Sequence, residues 1–67
     1  MNKDIIQGKW AQLKGTVKAE WGELTDDEIN KINGNAEVLA GQIQEAYGVS
    51  RDEAEKRVDD WARKHSR

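Results

Sequence analysis

Few side chains in this chain could do covalent chemistry. It has one histidine, His65, and no cysteine. A hydrolytic nucleophile would need a Ser or Thr held beside that imidazole, with the imidazole itself oriented by a third group. His65 stands near the C-terminus, where helices fray, and its spacing extends the apolar stripe of the last helix. That setting points to a surface or capping role. Of the hydroxyls, Thr25 and Ser50 read as helix caps, while Thr16 and Ser66 have no special setting. The acid clusters Asp26-Asp27-Glu28, Asp52-Glu53-Glu55 and Asp59-Asp60 invite a metal reading. They lack the alternating oxygen ligands and central glycine of a calcium loop. Acids in a helix's first turn are what its dipole favours. A pair of catalytic carboxylates also needs a cleft, which a chain of 67 residues rarely forms. The glycines are spread singly, so no phosphate-cradling loop is present. No catalytic, cofactor-binding or metal-ligating residue is therefore assigned, and the reading is non-enzymatic.

Two further constellations could bind a ligand. Three tryptophans, Trp10, Trp21 and Trp61, could form a stacking platform for a base or a sugar. All three lie on the apolar faces of helices, and a small domain needs the area that they bury, so they are read as core. At least one indole edge is expected to stay exposed, because little chain is available to cover it. The run Tyr47-Gly-Val-Ser-Arg-Asp-Glu-Ala-Glu-Lys-Arg-Val58 is similar to a helix-hairpin-helix element, whose turn offers backbone N–H groups to phosphate. Gly48, Val49, Ala54 and Val58 fit. Ser50 replaces the second glycine, and Asp52, Glu53 and Glu55 would repel a phosphate. A nucleic-acid-binding module using Gly48–Arg51 and the basic ends is thus the alternative function.

The elements that must position these residues are helices. Asn2 is a good N-cap for the first, with Asp4 in its first turn. Ile6, Trp10, Leu13, Val17, Trp21 and Leu24 then follow at spacings of three or four, one stripe at roughly 100° per residue. Gly22 is expected to end this helix in the left-handed conformation. Gly8, Gly15 and Gly22 recur every seven residues on the opposite side, where Ala11 and Ala19 extend a small-residue face. Two readings are open for that face: a close helix crossing with Gly41 as partner, or tolerated flexibility. Gly8 could instead mark a break after a short leading turn. The second helix opens with a capping box at Thr25 and Glu28, with Leu24 stapled onto Ile29, carries Ile29 and Ile32, and stops at Asn33-Gly34. The third runs from about Asn35 to Tyr47, with Ala36, Leu39, Ile43, Ala46 and Tyr47 inward. Val38 lies off that face, to be buried against another helix. The fourth begins at a second box, Ser50 and Glu53, with Ala54, Val58 and Trp61 inward, Ala62 at the edge, and Arg63, Lys64 and Arg67 at its end.

These elements repeat. Leu13 aligns with Leu39, Gly15 with Gly41, Val17 with Ile43, Trp21 with Tyr47 and Gly22 with Gly48; after a one-residue gap the Thr25 box aligns with the Ser50 box. The pattern predicts an all-α fold, a small four-helix bundle of two crosswise-packed α-hairpins, as one domain over 1–67. Trp10, Leu13, Val17, Trp21, Leu39, Ile43, Val58 and Trp61 are its expected core. With 36% apolar and 36% charged residues the chain is polar, yet its apolar residues are strongly periodic, which argues against disorder. Net charge is −2, with ten acids against four basic residues over 25–60, and this disfavours a broad nucleic-acid surface. There is no membrane-length apolar run and no signal-peptide core, so a cytoplasmic protein is expected.

The ordered residues Gly8-Lys-Trp10, Leu13-Lys-Gly15, Val17-Lys18, Trp21-Gly22, Leu24-Thr-Asp-Asp27, Gly34, Leu39-Ala-Gly41, Ile43-Gln44, Tyr47-Gly48 and Ala54-Glu55 carry a resemblance. From Asn2 to about Trp61 the chain resembles the CsbD-like family of small bacterial proteins. The one departure is Asn33-Gly-Asn35, where a basic residue commonly follows the glycine. The resemblance implies a bundle of two crossed helical hairpins similar to SAM-like domains. It also implies a general stress-response role, induced by conditions such as osmotic or envelope stress, with no cofactor, enzymatic activity or catalytic residue. A protein partner or sheer abundance would then carry the function.

Overall fold

The structure is a computed structural model that describes residues 3–65, with side chains from Ile6 onward. Asn2, Ser66, Arg67 and the side chain of Asp4 lie outside the described residues. Five helices follow one another: α1 (Lys3–Gly8), α2 (Trp10–Glu20), α3 (Asp26–Ile32), α4 (Ala36–Tyr47) and α5 (Arg51–His65). No strand occurs among the described residues, and the fold is an all-α small helical bundle.

The fifth helix arises because the expected first helix is broken. Gly8 ends α1, and Lys9 leaves the helical basin at φ −114°, ψ 18°. The Lys9 carbonyl then accepts from both Gln12 and Leu13 N–H, at 3.0 and 2.9 Å, and restarts the ladder. The break lets Ile6 drop fully into the core. It also makes room for the α3–α4 turn. A Cβ at Gly34 would lie 3.0 Å from Gln7 Cα and 3.4 Å from Trp10 Cβ. Only glycine can approach α1 and α2 so closely, and its φ of 79° is one that side-chain-bearing residues rarely adopt.

The ends of the other helices follow their capping residues. Thr25 Oγ1 accepts from Glu28 N–H at 3.2 Å, and Thr25 N–H donates to Glu28 Oε1 at 2.9 Å, so the first capping box is complete. Leu24 and Ile29 on either side of it are both buried, as a staple requires. Asn33 terminates α3 in the left-handed region at φ 46°. Asn35 caps α4, its Oδ1 accepting from Glu37 and Val38 N–H at 2.9 and 3.2 Å. Gly48, at φ 66°, ends α4. The second box is half made: Ser50 Oγ accepts from Glu53 N–H at 3.1 Å, while the Glu53 carboxylate turns outward to Arg57 at 3.0 Å.

Gly22 departs from its expected role. The C-cap of α2 is Trp21, at φ −125°, and the left-handed glycines are Gly34 and Gly48. Burial of Trp21 and Leu24 pulls the chain back without a left-handed residue; Leu24 N–H bonds to the Trp21 carbonyl at 3.0 Å. Lys18 Nζ then donates to the Leu24 carbonyl at 2.9 Å.

α2 packs with α3 and α4 with α5, giving the two hairpins, and contacts of α4 with α3 and α1 join them. The core draws on every helix: Ile6 from α1, Leu13 and Val17 from α2, Ile29 and Ile32 from α3, Ala36, Leu39, Ala40 and Ile43 from α4, and Ala54, Val58, Trp61 and Ala62 from α5. Five residues depart from expectation. Trp10 is only half-buried, because it starts α2 directly after the break, and Ala46 and Tyr47 are half-buried at the end of α4. Val38 is 36% exposed, since Leu39 and Ala40 take the inward positions. Ala62 is buried rather than at the edge. No close crossing uses the glycine face: a Cβ at Gly8, Gly15 or Gly41 would meet nothing within 4 Å, and Ala11 and Ala19 are exposed.

Candidate functional site

His65 ends α5 with its ring against Trp61, centroids 5.7 Å apart at 55°. The candidate nucleophiles lie elsewhere. Ser50 and Thr25 hold helix N-termini, and Thr16 Oγ1 donates back to the Leu13 carbonyl at 2.7 Å. Among the described residues the structure therefore does not bring imidazole and any of these hydroxyls together; Ser66 lies outside them.

The tryptophans divide. Trp21 and Trp61 meet edge to face, centroids 5.4 Å apart at 61°, and are 4% and 1% exposed. This geometry suits the ring quadrupoles. It joins the end of α2 to α5, and the Glu20–Lys64 pair at 3.8 Å lies beside it. A shallow depression of about 320 Å³ is lined there by Glu20, Trp21, Tyr47, Arg57, Asp60, Trp61 and Lys64. Both indoles are already covered, so neither presents a face for a base or sugar. Trp10, half-buried, is the indole with an open edge.

At the turn Gly48–Arg51 the first N–H and the N–H groups of the following helical turn are engaged. Gly48 N–H bonds to the Gln44 carbonyl at 2.9 Å, Glu53 N–H to Ser50 Oγ, and Ala54 N–H to the Ser50 carbonyl at 2.9 Å. Two of the nearby cations are paired along α5, Arg51 with Glu55 at 3.5 Å and Arg57 with Glu53 at 3.0 Å, and further along the helix Arg63 pairs with Asp59 at 2.7 Å. Arg57 also sits 5.9 Å from the centre of the Tyr47 ring. A phosphate arriving here meets two arginines already paired with carboxylates and the acids Asp52, Glu53 and Glu55.

The acid clusters are similarly engaged. Hydrogen bonds from the Thr25 backbone, then from its hydroxyl, hold the Glu28 carboxyl below its ordinary range. The Arg63 guanidinium does the same for Asp59, and Asp59 in turn raises Arg63. Among the described residues, no group of three or more His, Asp or Glu side chains could hold a metal. No described helix is long and apolar enough to cross a membrane.

A further depression, about 580 Å³, was not foreseen. Gln7, Lys31, Asn33, Asn35, Glu37 and Val38 line it where the α3–α4 turn meets α1. Its sequence signals were the Asn33-Gly34 stop and the candidate break at Gly8, next to Gln7 in its lining.

These observations define a small all-helical bundle in which several polar side chains serve caps and ion pairs. The chain belongs to the CsbD-like family: the family's model matches residues 4–56. It is 52% identical over 65 residues to the UPF0337 protein YjbJ of Escherichia coli O6:H1, covering 97% of this chain and 94% of that one. It is 59% identical over 58 residues to a UPF0337 protein of Bordetella pertussis, covering 87% and 88% of the two chains. A UPF0337 protein of Pseudomonas aeruginosa is 50% identical over 62 residues, covering 92% and 95%. None of these names carries an enzymatic activity. No solved structure matches the chain.

Proposed function

We propose that this chain is a non-enzymatic stress-response protein of the bacterial cytoplasm, acting in stoichiometric quantity, by abundance or by contact with a protein partner. The observation that carries this reading is the engagement of the reactive side chains. Thr25 and Ser50 are caps, His65 lies against Trp61, and the carboxylates of α5 hold its arginines. Catalysis needs a nucleophile or base free to meet a substrate. Membership of the CsbD-like family supports the stress role. Residues 1–67 are read as one domain, because core residues from all five helices form one cluster.

A graded expression series in a bacterium lacking its own relative tests the proposal. Survival of osmotic stress should rise in proportion to the amount of protein and be unchanged by His65→Ala. Full protection at trace levels, abolished by one surface substitution that leaves the fold intact, would refute it. The nucleic-acid alternative predicts retention on DNA at low salt that falls steeply as salt rises. With Arg51 and Arg57 paired to Glu55 and Glu53 and Asp52 beside the turn, no retention is expected even at low salt.

A further inference from the structure

We infer that Asn33 is a built-in site of spontaneous deamidation, held in check by the docking of Gly34 against α1 and α2. An asparagine followed by glycine cyclises readily, because the glycine nitrogen carries no side chain beside it to hinder attack. The backbone nitrogen of Gly34 attacks Asn33 Cγ and a C–N bond forms. The bond from Cγ to the side-chain nitrogen breaks, and ammonia leaves with the proton shed by the backbone N–H. Water then opens the cyclic imide to aspartate or isoaspartate. No oxidant or cofactor enters.

Among the described asparagines only Asn33 has this chemistry open to it. Asn30 lies within α3 and precedes Lys31. The Asn35 side chain is held by Glu37 and Val38 N–H and precedes Ala36. Asn33 is exposed, lies beyond the last residue of α3, and faces the depression at the α3–α4 turn.

The folded geometry opposes ring closure. At ψ 42° the Gly34 nitrogen lies nearly anti to Asn33 Cβ across the Cα–C bond, whereas a five-membered imide needs the two almost eclipsed. Turning ψ to that side swings Gly34 away from its seat. The seat is tight, with Gln7 Cα 3.0 Å and Trp10 Cβ 3.4 Å from the position of a Gly34 Cβ. Reaction therefore requires the turn to undock, a local opening below the cost of global unfolding. Once formed, isoaspartate adds a methylene to the backbone and a negative charge at the C-terminal end of α3, where the helix dipole disfavours it. The turn then no longer fits its seat, and the change persists as a record of opening.

The test is to hold the full chain in mildly alkaline buffer, with and without denaturing urea, and to map the amide-to-carboxylate mass change by fragmentation. A methyltransferase that labels isoaspartate identifies the isomer. Conversion should concentrate at Asn33 and run roughly tenfold or more slower in the folded chain than in the unfolded one. Asn33→Gln should abolish the fast component in urea. Equal rates with and without urea would overturn the guarding role. Conversion in urea that spares Asn33 would overturn the site.

Discussion

Gly15 and Gly41 sit inside α2 and α4 with no left-handed φ and nothing within 4 Å of where a Cβ would be. Gly15→Ala and Gly41→Ala should therefore each stabilise the protein. An interior helical glycine costs about 1 kcal/mol relative to alanine, chiefly through the entropy of the unfolded chain. The two positions lie on different helices and share no neighbour, so the double variant should gain about 2 kcal/mol. In a domain of this size each kcal/mol raises Tm by roughly 4–8 °C. Urea unfolding followed by far-ultraviolet circular dichroism is the assay. The midpoint should rise in each single variant and again in the double one, with the slope unchanged. Gly34→Ala provides the contrast. Its φ of 79° and the 3.0 Å approach to backbone Gln7 Cα leave no room, so stability should fall by more than about 1–2 kcal/mol. A fall in midpoint for Gly15→Ala would refute the reasoning, since it would mean that this face is packed against something.

Thr25→Ala should lose about 1 kcal/mol in urea melts, and Ser50→Ala a similar amount, because each removes a cap. Trp61→Ala should cost about 3–5 kcal/mol, close to the whole stability of so small a domain, and read as unfolded in the same assay. The lowered Asp59 and Glu28 carboxyls add stability that is fully present above their unfolded values and is lost as pH falls through their folded ones. The urea midpoint should thus drop on acidification below the ordinary carboxylate range. Arg63→Gln should return the Asp59 titration, followed by NMR, toward its ordinary value.

Much of the fold was legible where a local rule has a residue signature. The three-and-four spacing placed Leu13, Val17, Leu39, Ile43, Val58 and Trp61 inward, and Thr25, Ser50 and Gly48 marked helix ends. What escaped depends on tertiary context. Gly8 offered a break as one of several readings, and coordinates were needed to choose it and to show that Ile6 and Gly34 reach their places beside it. Gly22 carries the signature but is not used, because burying Trp21 and Leu24 already turns the chain. Val38 reads as core by type and is exposed because its neighbours fill the interface. For the candidate site, the occupation of Ser50 as a cap was readable. The arginine pairing along α5 and the depression beside Asn33 required coordinates.

The indoles occupy opposite poles of α2: Trp10 opens that helix beside Gly34, while Trp21 closes it in contact with Trp61. The molecule thus carries two separable optical reporters. Exciton coupling of the Trp21–Trp61 pair senses the seam between hairpins, and quenching of the half-buried Trp10 by a solute senses the opposite pole. A perturbation that shifts one signal while sparing the other locates itself along an 11-residue rod without any added label.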